Sequence, residues 1–335
     1  MSPQAPPPTV APVIERRRIF VLGATGAIGQ ATVRALVGDG HEVVCFVRPG
    51  PARTDSVIDG AAVRFGDATD PRSLRQDGFR GERFDTLVSC MASRTGAPKD
   101  AWAVDYRAHA DALAAAKDAG VTHVVLLSAI CVQKPRLAFQ QAKLAFETEL
   151  MASGLSYAIV RATAFYKSLS GQVERVRSGK PFLVFGDGRA TACKPISDAD
   201  LGRYLADCVH DATRRNRVLP IGGPGPAITP REQGERLFAL MGREPRFAQV
   251  PVALLDGVVW LLSVLGVLLP ALRDKAELAR IGRYYATESM LVFDAAQGRY
   301  DADATPSTGR DTLFDHYARL VRREAAAERG AHSVF

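Results

Sequence analysis

Three glycines near the start of the chain have the spacing of a phosphate-binding turn. The segment Gly23-Ala-Thr-Gly26-Ala-Ile-Gly29 follows an apolar run over 18–22 and precedes a helical pattern over 30–38. In such a turn the glycines permit the bend, the approach of backbone amides to a pyrophosphate, and close packing of helix on strand. The helix N-terminus adds partial positive charge. We therefore expect dinucleotide contacts from Gly23, Thr25, Gly26, Ala27 and Ile28.

The residue after the next predicted strand indicates which dinucleotide binds. That strand covers 41–47 and is followed by Arg48, with no carboxylate beside it and with Arg53 close behind. An acidic residue at this position accepts a hydrogen bond from the ribose 2′-hydroxyl of NAD, whereas an arginine accommodates the 2′-phosphate of NADP. A guanidinium binds a phosphate through two hydrogen bonds. The sequence thus favours NADPH over NADH; the alternative is that Arg48 is an ordinary surface arginine.

The remaining candidate cofactor contacts follow the ends of further predicted strands. These strands cover 62–65, 86–90, 123–127 and 157–161. A doubly wound sheet binds its ligand at the carboxyl ends of its strands. We expect contacts from Asp67 and Ala68 at the adenine, from Cys90, Met91 and Ala92 at the ribose and pyrophosphate, from Ser128 and Lys143 at the nicotinamide ribose, and from Thr163 and Phe165 at the nicotinamide. For Asp67 the alternative is a role in a turn.

The alternation of strands and helices that positions these residues predicts an α/β fold. We expect a Rossmann-type, doubly wound parallel sheet with a smaller, mostly helical C-terminal substrate lobe. The expected division is a disordered Pro-rich tail over 1–16, an NADP-binding domain over 17–165, a mainly substrate-binding lobe over 166–325 and a flexible tail over 326–335. A later strand near 217–221 is expected to return to the sheet.

Composition narrows the classes of function. The 335 residues are 47% apolar, which allows a large core, and the net charge is +7. The Lys and Arg residues are dispersed, so the basic balance suits an anionic cofactor and gives no indication of nucleic-acid binding. The five cysteines are scattered, and the six histidines form no ligand motif. We therefore expect no protein-bound metal, no disulfide framework and a cytoplasmic location.

One segment of the second half is almost wholly apolar. Residues 251–272 are long enough to cross a bilayer, but Asp256 interrupts them and prolines bracket them. We favour a helix that is buried or that lines a pocket for a large, flat, apolar ligand. Peripheral membrane contact and a true membrane span are the alternatives.

The glycine turn, Gly66-Asp-Ala-Thr-Asp70 and the stretch over 105–128 together resemble the short-chain dehydrogenase/reductase superfamily, in its extended or atypical branch. Most members use Tyr-x-x-x-Lys, whose tyrosine passes a proton to a carbonyl oxygen, but here the pattern is Phe139-Gln-Gln-Ala-Lys143. A phenyl ring donates no proton, which disfavours carbonyl reduction by that route. The resemblance implies that Lys143 is catalytic and holds the nicotinamide ribose; the alternative is a plain helix lysine.

The C-terminal half carries a more specific resemblance. The stretches over 274–294 and 298–314, together with 161–168 and Gly186-Asp-Gly188, are similar to the divinyl chlorophyllide 8-vinyl reductases. This implies an oxidoreductase of chlorophyll or bacteriochlorophyll biosynthesis, and so of photosynthesis. It would use NADPH to reduce the 8-vinyl group of divinyl chlorophyllide or protochlorophyllide to ethyl. The substrate would be a magnesium tetrapyrrole. Because no carbonyl is reduced in this reaction, the absence of a tyrosine at position 139 agrees with the chemistry.

The same resemblance implies a substrate site and leaves several points open. We expect the tetrapyrrole to contact Tyr166, Trp260, Arg283 and Tyr284. The proton donor is undecided among Tyr166, Tyr284, Tyr285 and water. Contact with a photosynthetic membrane through 251–272 is also open. The rival functions are an NADPH-dependent ene or carbonyl reductase of another apolar conjugated substrate and a non-catalytic NADPH-binding regulator.

Overall fold

The computed structural model describes residues 15–50, 60–269 and 271–322. Arg53, nearly all of the Pro-rich tail and the tail over 326–335 lie outside these residues. Within them, a large parallel sheet occupies mainly the first half of the chain, and a smaller unit of helices and two short sheets follows.

Seven strands form the large sheet. They are β1 (Arg18–Leu22), β2 (Glu42–Val47), β3 (Ala61–Phe65), β4 (Thr86–Ser89), β5 (His123–Ala129), β6 (Ser156–Ala162) and β8 (Arg217–Ile221). All pairs are parallel, and the order is β3-β2-β1-β4-β5-β6-β8. Because the order steps outward from β1 in both directions, the sheet is doubly wound. The expected Rossmann-type fold is confirmed.

Twelve helices are present in the described part of the chain. They are α1 (Ala27–Gly38), α2 (Pro71–Ser73), α3 (Pro98–Ala101), α4 (His109–Asp118), α5 (Ala138–Ala152), α6 (Tyr166–Leu169), α7 (Val173–Arg177), α8 (Asp198–Asp207), α9 (Pro230–Leu240), α10 (Val252–Leu268), α11 (Ala271–Thr287) and α12 (Leu313–Val321). Two π-helical segments continue α2 and α3, over Leu74–Phe79 and Trp102–Ala108. Short 3-10 turns cover Ile130–Gln133, Ser170–Gln172 and Ala212–Arg214.

The sheet is buried on both faces, which explains why its strands are continuous apolar runs. Side chains alternate along β1, so that Ile19 and Val21 pack towards α1 and α8. Phe20 and Leu22 pack towards α4 and α5 on the opposite face. The sheet therefore lies between two layers of helices, and its carboxyl edge is left to loops and to the C-terminal unit.

The C-terminal unit is mostly helical, as expected, with two short two-stranded sheets. These pair β7 (Phe182–Phe185) with β9 (Phe247–Val250), and β10 (Val292–Asp294) with β11 (Arg299–Asp301). Its apolar core includes Phe238, Tyr284 and Tyr317. Two elements of this half join the large sheet instead, because β8 pairs with β6 and α8 packs on α1.

The helix α10 differs from the favoured expectation for 251–272. It packs against α11, but its other side is open, with Trp260 68% exposed and Val267 73% exposed. The part of the expectation that has the helix buried is therefore wrong, because apolar composition alone does not say what covers a helix. The other part, a helix that lines a pocket for an apolar ligand, stays a prediction. Within the described ranges, no helix has both the length and the apolar character needed to cross a membrane.

Candidate functional site

The glycine turn between β1 and α1 admits no side chain at two positions. Gly23 has φ +75°, and a Cβ atom there would lie 2.5 Å from the Cys90 carbonyl carbon. A Cβ atom at Gly29 would lie 2.1 Å from the Gly23 carbonyl oxygen. The first glycine therefore permits the turn, and the other lets α1 approach β1 closely.

The N-terminus of α1 fits an anionic ligand. Gly26 precedes the helix and offers no side-chain cap, so the first amides of α1, starting at Ala27 and Ile28, lack an intrahelical acceptor. A Cβ atom at Gly26 would have no neighbour closer than 3.6 Å, so the turn is open on this side. Uncapped amides at the positive end of a twelve-residue helix are the donors that a pyrophosphate requires.

The residues expected at the adenosine end lie next to this turn. Arg48 is exposed and follows β2 directly, where β2 pairs with the end of β1. Asp67 is also exposed, but its Oδ1 accepts hydrogen bonds from the backbone amide and the hydroxyl of Thr69. Ala68 beside it is partly buried. Asp67 thus has the turn role given as its alternative, and an adenine contact stays a prediction.

The loop after β4 closes the other side of the glycine turn. The Cys90 amide donates to the Leu22 carbonyl oxygen at 2.9 Å, and the Cys90 thiol lies 3.7 Å from the Thr32 hydroxyl. Burial raises the pKa of the Cys90 thiol to about 11, so the sulfur stays neutral. Met91 is partly buried and Ala92 is exposed. These residues lie beside the glycine turn and the first amides of α1, which together we call the dinucleotide cradle.

Lys143 is held by a carboxylate that the sequence analysis did not single out for a role. Its Nζ lies 3.0 Å from Asp105 Oδ1, and the Asp105 side chain is completely buried. The same oxygen accepts a hydrogen bond from the Ser93 amide, in the loop after β4. Asp105 Oδ2 is buried without a hydrogen-bond partner among the described residues. Asp105 therefore links Lys143 to the loop that borders the cradle.

Ser128 is buried, and its hydroxyl faces the protein interior. It donates to Glu147 Oε1 at 2.5 Å, and Arg161 binds the other Glu147 oxygen at 2.5 Å. Because Glu147 is fully buried, the arginine supplies the positive charge that it needs. The Ser128 hydroxyl, which we expected at the nicotinamide ribose, thus donates to the buried ion pair of Glu147 and Arg161.

The two residues expected at the nicotinamide lie just beyond β6. The hydroxyl of buried Thr163 donates to the Lys194 carbonyl oxygen at 2.5 Å. Phe165 is partly buried and forms a backbone bridge with Ile196. Both lie at the carboxyl edge of the sheet, and their contact with a nicotinamide stays a prediction.

Two of the expected substrate residues are structural in the described chain. Tyr166 and Tyr284 are each 4% exposed, and burial raises the pKa of both phenols. The Tyr166 hydroxyl donates to the Asp311 carbonyl oxygen. The Tyr284 hydroxyl donates to the Cys131 carbonyl oxygen at 2.9 Å. Neither geometry supports a direct substrate contact, because each residue is buried and each hydroxyl already donates to a backbone carbonyl oxygen.

The other two expected substrate residues belong to the hairpin of α10 and α11. Trp260 is exposed on α10, the helix that packs against α11. Arg283 forms an ion pair with Asp256 and so ties α11 to α10. A recess of about 300 Å³ lies between this hairpin and Pro98, the first residue of α3. The structure thus brings Trp260 and Arg283 onto one hairpin but apart from Tyr166.

Phe139 lies where the hairpin meets the sheet. A Cβ atom added at Gly96 would contact Ile281 at 2.9 Å and Phe139 at 3.4 Å. The loop after β4, the start of α5 and the middle of α11 therefore converge one helical turn before Lys143. This convergence encloses the region beside the lysine with apolar side chains.

Asp39, His41 and His210 are brought together by the fold, although the sequence showed no such cluster. Their ligand atoms lie within 4.8 Å of one another. Both Asp39 oxygens accept hydrogen bonds from Arg203, at 2.8 and 2.5 Å. His41 Nδ1 accepts from the Arg17 amide, so the neutral ring carries its hydrogen on Nε2, which is buried and has no hydrogen-bond partner among the described residues. A nearby guanidinium and an N–H donor make this a poor cation site.

Comparison with known proteins agrees with this geometry. A family model described as NAD(P)H-binding matches residues 23–212. The chain is 48% identical over 331 residues to the chloroplastic divinyl chlorophyllide a 8-vinyl-reductase of Oryza sativa subsp. indica, spanning 95% of this chain and 82% of the relative. It is 45% identical to the protein of the same name from Arabidopsis thaliana, spanning 95% of this chain and 80% of that one.

A solved structure gives the same fold. An NADPH-dependent quinone oxidoreductase from Escherichia coli, in complex with NADPH, superposes with a TM-score of 0.65 at 18% identity. The match covers 90% of this chain and 99% of the other. The two proteins therefore share a fold, and the family model shows that this chain contains an NAD(P)H-binding domain. By its identity to the plant proteins, the chain belongs to the divinyl chlorophyllide a 8-vinyl-reductase family.

Proposed function

We propose that the protein uses NADPH to reduce the 8-vinyl group of a divinyl chlorophyllide or protochlorophyllide to an ethyl group. The observation that carries this function is the identity of 45–48% to reductases of that name over most of the chain. The uncapped N-terminus of α1 and the glycine turn before it form the dinucleotide cradle that the reaction requires. The substrate is a magnesium tetrapyrrole, and the magnesium belongs to that substrate.

The residues of the cradle would bind and orient the cofactor. The α1 amides would hold the pyrophosphate, and the exposed Arg48 guanidinium would bind the 2′-phosphate. Lys143, fixed by Asp105, would hold the nicotinamide ribose and supply positive charge. When bound, NADPH supplies a hydride to one vinyl carbon, and the macrocycle spreads the resulting electron pair. Orientation in a dry site is the main contribution of the protein.

Phe139 supports this choice of reaction over carbonyl reduction. A carbonyl substrate needs a proton on its oxygen, and a phenyl ring cannot provide one. A vinyl substrate needs no such group at this position. Phe139 instead packs with Ile281 beside Gly96, where it adds apolar surface near Lys143.

Anaerobic incubation of the purified protein with divinyl chlorophyllide and NADPH tests this function. We expect a blue-shifted Soret band and a product heavier by two hydrogens. A parallel incubation with a small quinone separates the rival reductase function, since turnover of the quinone alone would favour it. Binding of NADPH with neither pigment nor quinone reduced, by protein shown to be folded, would favour the regulator.

A peripheral membrane contact through α10 is a second part of the proposal. The open side of the helix bears Leu254, Val258, Trp260, Leu261 and Val264, all large, apolar and exposed. Exposed Arg273 and Lys275 follow at the start of α11, and the chain carries a net charge of +7. An apolar helix face with a tryptophan and adjacent basic side chains suits the interface of an anionic membrane.

A further inference from the structure

We propose that Tyr285 donates the proton that completes reduction of the vinyl group. This inference rests on the proposed function, because it names the source of the second hydrogen in that reaction. Among the tyrosines considered for this role, Tyr285 alone combines a position at the carboxyl edge of the sheet with partial exposure.

The position of Tyr285 follows from its partner Cys131. Cys131 lies two residues beyond the end of β5, at the edge where a doubly wound sheet binds its ligand. The Tyr285 hydroxyl lies within hydrogen-bonding reach of the Cys131 thiol, and the charge of Lys143 acts on the same thiol. Tyr285 therefore places a phenol beside a thiol on which the charge of Lys143 also acts, and we assign that lysine to the nicotinamide ribose.

Helix α11, which carries this phenol, packs against the start of α5. Ile281, one turn earlier on α11, lies by Gly96 and Phe139. Glu277 accepts a hydrogen bond from the Ala138 amide at 3.0 Å and so fixes α11 against the start of α5. Tyr285 follows Ile281 by one further turn of α11, so its phenol lies on the helix that packs against the start of α5.

The other two tyrosines are not available for proton transfer. The hydroxyls of Tyr166 and Tyr284 already donate to the Asp311 and Cys131 carbonyl oxygens, and both residues are buried. Tyr285 is 40% exposed, and its hydroxyl is paired with a thiol, which is a weaker acceptor than a carbonyl oxygen. Exposure also gives it a route to bulk water.

The proton balance of the step is complete. Hydride addition leaves an electron pair on the substrate, and the second vinyl carbon takes the phenolic proton of Tyr285, forming a C–H bond as the O–H bond breaks. The tyrosinate then recovers a proton from water. Although 40% of Tyr285 is exposed, the surrounding protein desolvates its hydroxyl, and this desolvation together with the neighbouring Cys131 raises the pKa of the phenol well above its usual value. The group therefore holds its proton until the substrate carbanion forms.

Tyr285→Phe tests the proposal, with the neighbouring Tyr284→Phe as the matched control. Single-turnover rates are measured in H₂O and D₂O with divinyl chlorophyllide and NADPH. The dissociation constant of divinyl chlorophyllide is measured by fluorescence quenching without NADPH. We expect Tyr285→Phe to slow the single turnover by about 100-fold or more, the range of a lost general acid, with pigment binding changed less than about twofold. Tyr284→Phe should keep the solvent isotope effect of the unmodified protein.

Three results would overturn the assignment to Tyr285. One is a Tyr285→Phe rate within about threefold of the unmodified protein. Another is an equal loss in both variants, which indicates a shared packing role. The third is loss of pigment binding with an unchanged rate at saturation, which makes Tyr285 a binding contact. If the unmodified protein itself does not reduce the pigment, the proposed function fails, and this outcome is distinct from the other three.

Discussion

At the residue scale, the ion pair between Lys143 and Asp105 affects both the stability of the protein and its turnover in our proposal. Asp105 is completely buried, and Lys143 is the cation beside it. Removing one partner of a buried pair leaves an uncompensated charge and costs about 3–5 kcal/mol. A loss of turnover in a Lys143 variant would therefore be ambiguous unless the carboxylate is neutralised as well.

We expect Lys143→Ala to lower both the free energy of unfolding, by about 3–5 kcal/mol, and the turnover rate. The double change Lys143→Ala with Asp105→Asn should recover most of the stability, because no buried charge remains, but not the turnover. Urea unfolding and single-turnover rates measure the two effects. Lys117→Ala, on exposed helix surface, is the control. Recovery of turnover in the double variant would remove Lys143 from the mechanism.

Arg48 determines the preference between the two dinucleotides in our account. A hydrogen bond to a charged group contributes about 1.5–3 kcal/mol, so Arg48→Ala should raise the KM for NADPH about 10- to 100-fold. The KM for NADH should hardly change, because NADH has no 2′-phosphate. Arg34→Ala, an exposed arginine of α1, removes the same net charge and is the control. Equal effects on both cofactors would contradict the assignment.

His109 makes stability depend on pH. Burial lowers its pKa from 6.5 to about 4, with the nearby Lys143 charge adding to this effect. Its Nε2 lies 2.8 Å from the Ser89 hydroxyl, and its Nδ1 lies 2.8 Å from the Val104 carbonyl oxygen, a pairing that satisfies the neutral ring. Because the unfolded chain binds the proton more readily, stability is full above about pH 6.5 and is lost as pH falls towards 4.

This difference in pKa corresponds to about 3 kcal/mol. We expect urea unfolding at several pH values to show a steeper loss of stability below pH 6.5 for the unmodified protein than for His109→Gln, which has no titrating ring. Carboxylates titrate in both proteins, so the difference between the two slopes isolates the histidine. Identical slopes would show that His109 does not carry this dependence.

Residues close in sequence were predictable, and residues paired across the fold were not. The glycine turn was predicted because its function depends on three local positions and the adjoining strand and helix. The pairs Lys143–Asp105 and Ser128–Glu147 join different elements, so no spacing in the sequence indicates them. Ser128 illustrates the consequence, since its position at the end of β5 was predicted but its partner was not.

At the scale of elements, the parallel sheet was predicted because strands buried on both faces are continuous apolar runs between turn residues. The same reasoning failed for α10. A wholly apolar helix can be covered by the protein, by a ligand or by a membrane, and sequence does not distinguish these. The structure shows α11 on one side and exposed side chains on the other.

The two tryptophans of the chain allow a direct test of membrane contact by α10. In Trp102→Phe the remaining Trp260 lies on the open face of α10, and in Trp260→Phe the remaining Trp102 lies on a separate π-helical segment. Vesicles of phosphatidylcholine with phosphatidylglycerol should shift the Trp260 emission to the blue, because the indole leaves water. The Trp102 emission should not move. An unchanged Trp260 spectrum, or equal shifts, would contradict the contact.

At the scale of the whole molecule, the glycine turn lies at one edge of the sheet, and the C-terminal unit reaches the same edge. α11 contributes Glu277, Ile281 and Tyr285 to that edge. We therefore expect the C-terminal unit to bind the substrate and the sheet to bind the cofactor.

The central claim is that hydride passes from NADPH to the 8-vinyl group of the tetrapyrrole. The most direct test is an anaerobic incubation of the protein with divinyl chlorophyllide and NADPH carrying deuterium at both C4 positions, in ordinary water, followed by mass spectrometry of the pigment. We predict an ethyl product that has gained one deuterium and one protium. An unchanged pigment, or a reduced pigment without deuterium, would contradict the account.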